Sequence, residues 1–153
     1  MAIDWTDPKA QVSKHFSVGE LLWLPTWSRL ATEGDGLDEH VKGQLVAFAG
    51  SMDKVRQFVA MPIVVHCWFR PREYNSLPSI GGARHSAHMC EGSWAAVDFH
   101  VGGFDGTDGC AEIRAKLLPM LDAWGMRMEN RVGTWIHLDS RQPNDGQPRF
   151  FIP

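Results

Sequence analysis

Between Ser86 and His100 the chain reads SAHMCEGSWAAVDFH, which brings His88, Cys90, Glu91, Asp98 and His100 within fifteen residues. Imidazole, thiolate and carboxylate are the side chains that ligate transition metals. A second group lies downstream in TWIHLDS, which holds His137 and Asp139. Asp98 stands between Val97 and Phe99, and a carboxylate in an apolar strand is costly unless something pairs with it. Strand alternation sets Val97 and Phe99 on one face and Ala96, Asp98 and His100 on the other. It likewise separates Ile136 and Leu138 from Trp135, His137 and Asp139. If the two strands are neighbours, Asp98 and His137 converge on one polar spot. With His88 they make two imidazoles and a carboxylate, a set suited to zinc with its fourth position left to water. Zinc lowers the pKa of that water and yields a nucleophile near neutral pH. The residue types alone leave two readings open, a metal site or scattered polar residues with ordinary partners.

These side chains need elements to hold them. Ser17 and Glu20 have capping-box spacing before LLWL and predict a short helix that Pro25 disturbs. Leu37, Val41, Leu45, Phe48, Met52, Val55 and Val59 recur at three- and four-residue steps, an amphipathic helix that ends before Pro62. IVVHCWF (63–69) and AAVDFHV (95–101) read as strands, TWIHLDS (134–140) as a third, and RFFIP as a possible edge strand. Ile113, Leu117, Met120, Leu121 and Trp124 mark a helix with Pro119 as a kink. The stretch from Arg70 to about Trp94 is irregular, and a loop so long inside a compact domain is usually functional or disordered; its His and Gly content favours function. Residues 1–11 read as a loose N-terminal arm. The expected architecture over 1–153 is one α+β domain, with helices on one face of an antiparallel sheet and a zinc cleft on the other.

Bulk properties narrow the function classes. The 153 residues match one domain, and 44% hydrophobic content indicates a globular chain. A net charge of -3 without a basic run argues against nucleic acid as a partner. Three cysteines, Cys67, Cys90 and Cys110, do not form a disulfide framework. MAIDWTDPKAQVSKHFSV has no apolar run, so neither a secretion signal nor membrane insertion is expected from it. Localisation is left undecided between synthesis in the cytoplasm with release by lysis and a trimmed secreted form. Gly81-Gly82 lacks the strand, helix and Lys-Ser/Thr context of a phosphate-binding loop.

Four blocks in order, FRPREYN, GGARHSAH, AAVDFHV and WIHLDS, resemble the zinc D-Ala-D-Ala carboxypeptidases and endopeptidases of the M15 group. HFSVGELL (15–22) resembles the start of these domains, so the likeness spans roughly residues 15 to 140. The resemblance implies a hedgehog/DD-peptidase-like fold and zinc as the cofactor, held by His88, Asp98 and His137. It implies that Arg70 anchors a substrate carboxylate or carbonyl oxygen and that Ser86 helps to bind substrate. The implied substrate is a peptidoglycan stem peptide cleaved at a bond involving D-amino acids, by carboxypeptidase or endopeptidase action. Tyr74 and Asn75 match the block that holds the loop. Trp135, on the face of His137, is a candidate for the cleft wall or for the core.

The chain departs from the family pattern twice. Asp98 follows His88 by ten positions where the family has seven, so MCEGSW resembles a three-residue insertion that carries Cys90 and Glu91 toward the metal. Many members place an acid three residues before the last histidine, where this chain has Thr134. Glu129, eight residues upstream of His137, and Asp139, two residues downstream, remain the candidates for the general base. Without an acid at 134, a non-catalytic zinc-containing binding module on the same scaffold stays open as an alternative. So does a structural zinc closed by Cys90.

Overall fold

The computed structural model describes residues 2–131 and 133–152. The capping box predicted at Ser17 forms. The Ser17 hydroxyl accepts from the Glu20 N–H, and the Glu20 carboxylate accepts from the Ser17 N–H, opening helix α1 (Val18–Leu22). A two-stranded hairpin of β1 (Trp23–Leu24) and β2 (Arg29–Leu30) follows. Asp38 caps α2 (Glu39–Val59) by accepting from the Val41 N–H, and Ala60 closes it in the left-handed region at φ 56°. The face of α2 that is buried carries Val41, Leu45, Phe48, Ala49, Met52 and Val55, which is the spacing read from the sequence.

The main sheet has five strands in the order β3 (Ile63–Cys67), β4 (Ala96–Val101), β6 (Ile136–Asp139), β5 (Arg127–Glu129) and β7 (Phe150–Phe151). β3–β4, β4–β6 and β6–β5 are antiparallel, while β5–β7 is parallel. The fold is therefore α+β as expected, but the sheet is mixed rather than antiparallel throughout. The chain returns after β6 through residues 140–149 to lay β7 along the outer edge of β5. β5 itself was not foreseen, because three residues are too short for a periodicity to show. Pro119 does more than kink the second helical region. α4 (Gly106–Leu117) gives way to a 3₁₀ turn over Leu118–Met120 and then to α5 (Leu121–Trp124), because proline has no N–H to continue the ladder. The irregular stretch after β3 contains one short helix, α3 (Arg72–Asn75), and a 3₁₀ turn over Ala87–Met89.

Residues 1–11, expected to be loose, are pinned where described. The Val18 and Gly19 N–H groups donate to the carbonyls of Ala10 and Pro8, and Ile3, Trp5 and Ala10 pack against the core. Those backbone bonds hold the segment across α1.

One hydrophobic cluster joins the helices to one side of the sheet. Val97, Phe99 and Val101 of β4, Ile136 and Leu138 of β6 and Met128 of β5 share it with Leu45, Phe48, Met52, Ile113 and Leu117 from the helices. Trp68 is fully buried at its centre, edge-on to Phe16 and Phe48 at 5.2 and 5.7 Å between ring centroids. Burying a large side chain of this kind contributes roughly 1.5–3 kcal/mol. The alternate positions, Asp98, His137, Asp139, Arg127 and Glu129, are left for the other side of the sheet.

Candidate metal centre and cleft

The register of β4 against β6 pairs Asp98 directly with His137, and that of β5 against β6 pairs Arg127 with Asp139. Continuing the β5–β6 register by one step sets Glu129 opposite His137. His88 enters from the 3₁₀ turn over Ala87–Met89, which Ser86 caps by accepting from the His88 N–H at 3.3 Å. His88, Asp98 and His137 thus offer three donor atoms that lie within 4.8 Å of one another.

The hydrogen bonds around these donors fix how each presents itself. The Nδ1–H of His88 donates to the Trp68 carbonyl at 2.6 Å, since a carbonyl can only accept. Its Nε2 lone pair therefore faces Asp98 Oδ1 at 3.3 Å. Burial holds the His88 imidazole below its ordinary pKa, although Asp98 pulls the other way. Two acceptors then face each other in a buried site with no proton between them, an arrangement that a cation satisfies. His137 brings Nδ1 to 2.8 Å from the same Asp98 oxygen and turns Nε2 toward Asp139 Oδ2 at 3.3 Å. Burial would lower this imidazole, but the bonds to Asp139 and Asp98 outweigh it and raise its pKa to about 9. Asp98 sits well below the usual carboxylate range: burial opposes this, but the neighbouring imidazoles prevail. Its second oxygen accepts from Arg70 Nη2 at 2.6 Å. Arg70 is braced in turn by Nε–H to Cys67 Sγ at 3.1 Å and by its backbone N–H to the His88 carbonyl at 2.9 Å. Among the described residues its Nη1 has no partner.

Asp139 shares the face of His137, as expected, but its placement does not suit a base. It is 1% exposed. Both its oxygens accept from Arg127, at 2.9 and 2.8 Å, and one also faces His137 Nε2. A carboxylate so engaged orients the imidazole and raises its basicity. Glu129 is placed differently. It is half-buried and lines the cavity with Arg70, His88, Asp98 and His137, and its carboxylate has no hydrogen-bond partner among the described residues. Ser86 and Trp135 line the same cavity, and the Arg131 guanidinium lies 4.9 Å from the Trp135 ring. The cavity holds about 520 Å³, the size of a small-peptide site.

Cys90 and Glu91 do not reach this centre. Cys90 is buried in the core, with φ 55° and its thiol directed at the His88 carbonyl at 3.7 Å. Glu91 forms an ion pair with Arg72 at 2.6 Å. His100, on the same strand face as Asp98, bonds His66 at 2.6 Å, across the register break after Val65. Asn75 anchors the loop that leads to His88. Its Nδ2–H donates to the Ala83 carbonyl at 3.0 Å, its backbone carbonyl accepts from the Gly82 N–H, and a Cβ on Gly82 would lie 2.0 Å from its Oδ1. Tyr74 accepts from the Thr26 N–H at 3.2 Å. Sequence reasoning missed Arg127, whose only signal is the polar–apolar–polar order of Arg127-Met128-Glu129, and Arg141, which has none.

The family model described as Peptidase M15 matches residues 14–139, and the chain belongs to that family of peptidases. No curated protein and no solved structure matches it.

Proposed function

We propose that the protein is a zinc peptidase that hydrolyses an amide bond in peptidoglycan stem peptides, with His88, Asp98 and His137 as the zinc ligands. The observation that carries this reading is the opposition of the His88 Nε2 lone pair and the Asp98 carboxylate at 3.3 Å, with His137 closing the triangle. When bound, zinc supplies a Lewis acid for the scissile carbonyl and makes water acidic enough to attack near neutral pH.

The chain's own residues do the rest. The Trp68 carbonyl fixes the tautomer of His88, and Asp139, clamped by Arg127, fixes that of His137. Arg70 steadies Asp98 with one arm of its guanidinium and keeps Nη1 for a substrate carbonyl or carboxylate oxygen, where a fixed positive charge is effective. Glu129 faces the cavity without a partner and serves as the general base, accepting a proton at its carboxylate. Ser86 and Trp135 form parts of the wall that positions the peptide. An acid supplied from β5 answers the departure at Thr134 and favours catalysis over a bare recognition role. Cys90, buried and turned to a backbone carbonyl, leaves the set at three ligands, as a catalytic zinc requires.

The test is digestion of purified stem peptides by the zinc-supplied protein. Cleavage that a chelator abolishes and added zinc restores is the expected result. Cleavage of unrelated peptides at equal rates, or none of any peptide, would overturn the proposal.

A further inference from the structure

The cleft does not stop at the metal donors. Beyond Arg141 it opens into a second lobe of about 470 Å³ that shares His85, Arg127 and Arg141 with the first and is closed by Trp94, Gln142 and Asn144. Trp94 is the last residue of the segment that departs from the family spacing. Its ring packs under Gly92, where an added Cβ would fall 2.3 Å from the indole. The Gly92 carbonyl is tied to His40 Nε2 at 3.0 Å, and Glu91 is tied to Arg72. The segment is thus a braced wall with an indole on its inner side.

On that indole lies Arg141, its guanidinium carbon 4.5 Å from the ring centroid. One Nη2–H donates to the His85 carbonyl at 2.8 Å, and the buried Nε–H has no partner. Arg127, the other guanidinium of this lobe, is already paired with Asp139. The Arg141 backbone N–H donates to Asp139 Oδ1 at 3.0 Å, but its guanidinium has no carboxylate partner among the described residues. A stacked, half-buried guanidinium whose Nη1 has no partner among the described residues, beside a lobe rimmed by the neutral amides of Gln142 and Asn144, is built to receive a carboxylate.

We propose that this lobe is a substrate subsite in which Arg141, held on Trp94, binds a free carboxylate of the peptide on one side of the scissile bond. The inference rests on the peptide-hydrolase reading above and adds the class of substrate: an anionic peptide that continues past the metal centre. The carboxylate comes either from a side chain or from the peptide terminus, and the experiment separates the two.

Binding of stem peptides to the full chain is measured by calorimetry, with the peptide as the free acid, amidated at the side-chain carboxylate, or amidated at the terminus. Cleavage of each is followed separately. One of the two amidations weakens binding about 10-fold, the scale of one charge-assisted hydrogen bond. That amidation identifies the group that Arg141 reads. In Arg141→Gln the discrimination falls to near unity, and Arg141→Lys recovers part of it. Thermal melts of both variants check that the fold is kept. Discrimination that persists unchanged in Arg141→Gln, or equal binding of all three peptides by the wild type, overturns the subsite. Carboxylate-selective binding without cleavage supports the subsite and sinks the hydrolase reading. Cleavage without selectivity does the reverse.

Discussion

Replacing Asp139 by asparagine tests how the site controls its own protonation. His137 lies between two carboxylates, 2.8 Å from Asp98 and 3.3 Å from Asp139, and titrates at about 9 rather than the ordinary 6.5. The upward displacement corresponds to about 3 kcal/mol of preference for the imidazolium, at 1.36 kcal/mol per pH unit. The sign follows directly. A raised histidine pKa stabilises the metal-free fold fully below about pH 6.5, and the contribution is lost as pH rises through about 9. Asp139→Asn removes one of the two charges while leaving a similar shape. The pKa of His137 then moves back down toward its ordinary value, and the pH-dependent part of the metal-free stability shrinks with it. The variant also loses the carboxylate that orients the imidazole for a metal, which costs roughly 10–100-fold in metal affinity. The assay is NMR of the histidine ring nitrogens in the metal-free protein across pH 5 to 10, wild type against variant, with a chelator-competition measurement of zinc affinity above pH 9. Titration of wild-type His137 near 6.5, or an unchanged midpoint in Asp139→Asn, would refute the reasoning.

Glu129→Gln keeps the metal content and lowers kcat by about 10²–10⁴-fold, the usual worth of a general base, measured on any stem peptide that the wild type cleaves; an unchanged kcat would remove Glu129 from the mechanism. Gly82→Ala drives a Cβ against Asn75 and loosens the loop to His88, so thermal melting falls and zinc affinity weakens together; a loss of neither shows that the loop has another anchor. Zinc at about 1,000 times its Kd stabilises the wild type by roughly 4 kcal/mol in denaturant titrations, whereas His88→Ala gains almost nothing; equal stabilisation of both would move the metal elsewhere.

Much of the site was legible because strand alternation is a strict rule. Asp98 beside Val97 and Phe99, and His137 beside Ile136 and Leu138, could face the polar side only together, and the β4–β6 register places them opposite each other. The long helix was equally plain, since its apolar residues recur over twenty-one positions. What the sequence hid is what depends on distant partners. β5 is three residues long, and its place between β6 and β7 comes from pairing across the sheet. Asp139 carries the same residue type as a base, and only the Arg127 clamp reveals that its oxygens are occupied. Residues 1–11 look polar and irregular, yet the backbone bonds that α1 makes to Pro8 and Ala10, which have no sequence signature, hold that part of the segment down.

The central claim is that three side chains from a turn and two adjacent strands hold one ion. Elemental analysis of the purified protein with its His88→Ala and His137→Ala variants tests it most directly. The account predicts about one zinc per chain in the wild type and its loss in both variants. No zinc after supplementation, or zinc retained in both variants, would contradict it.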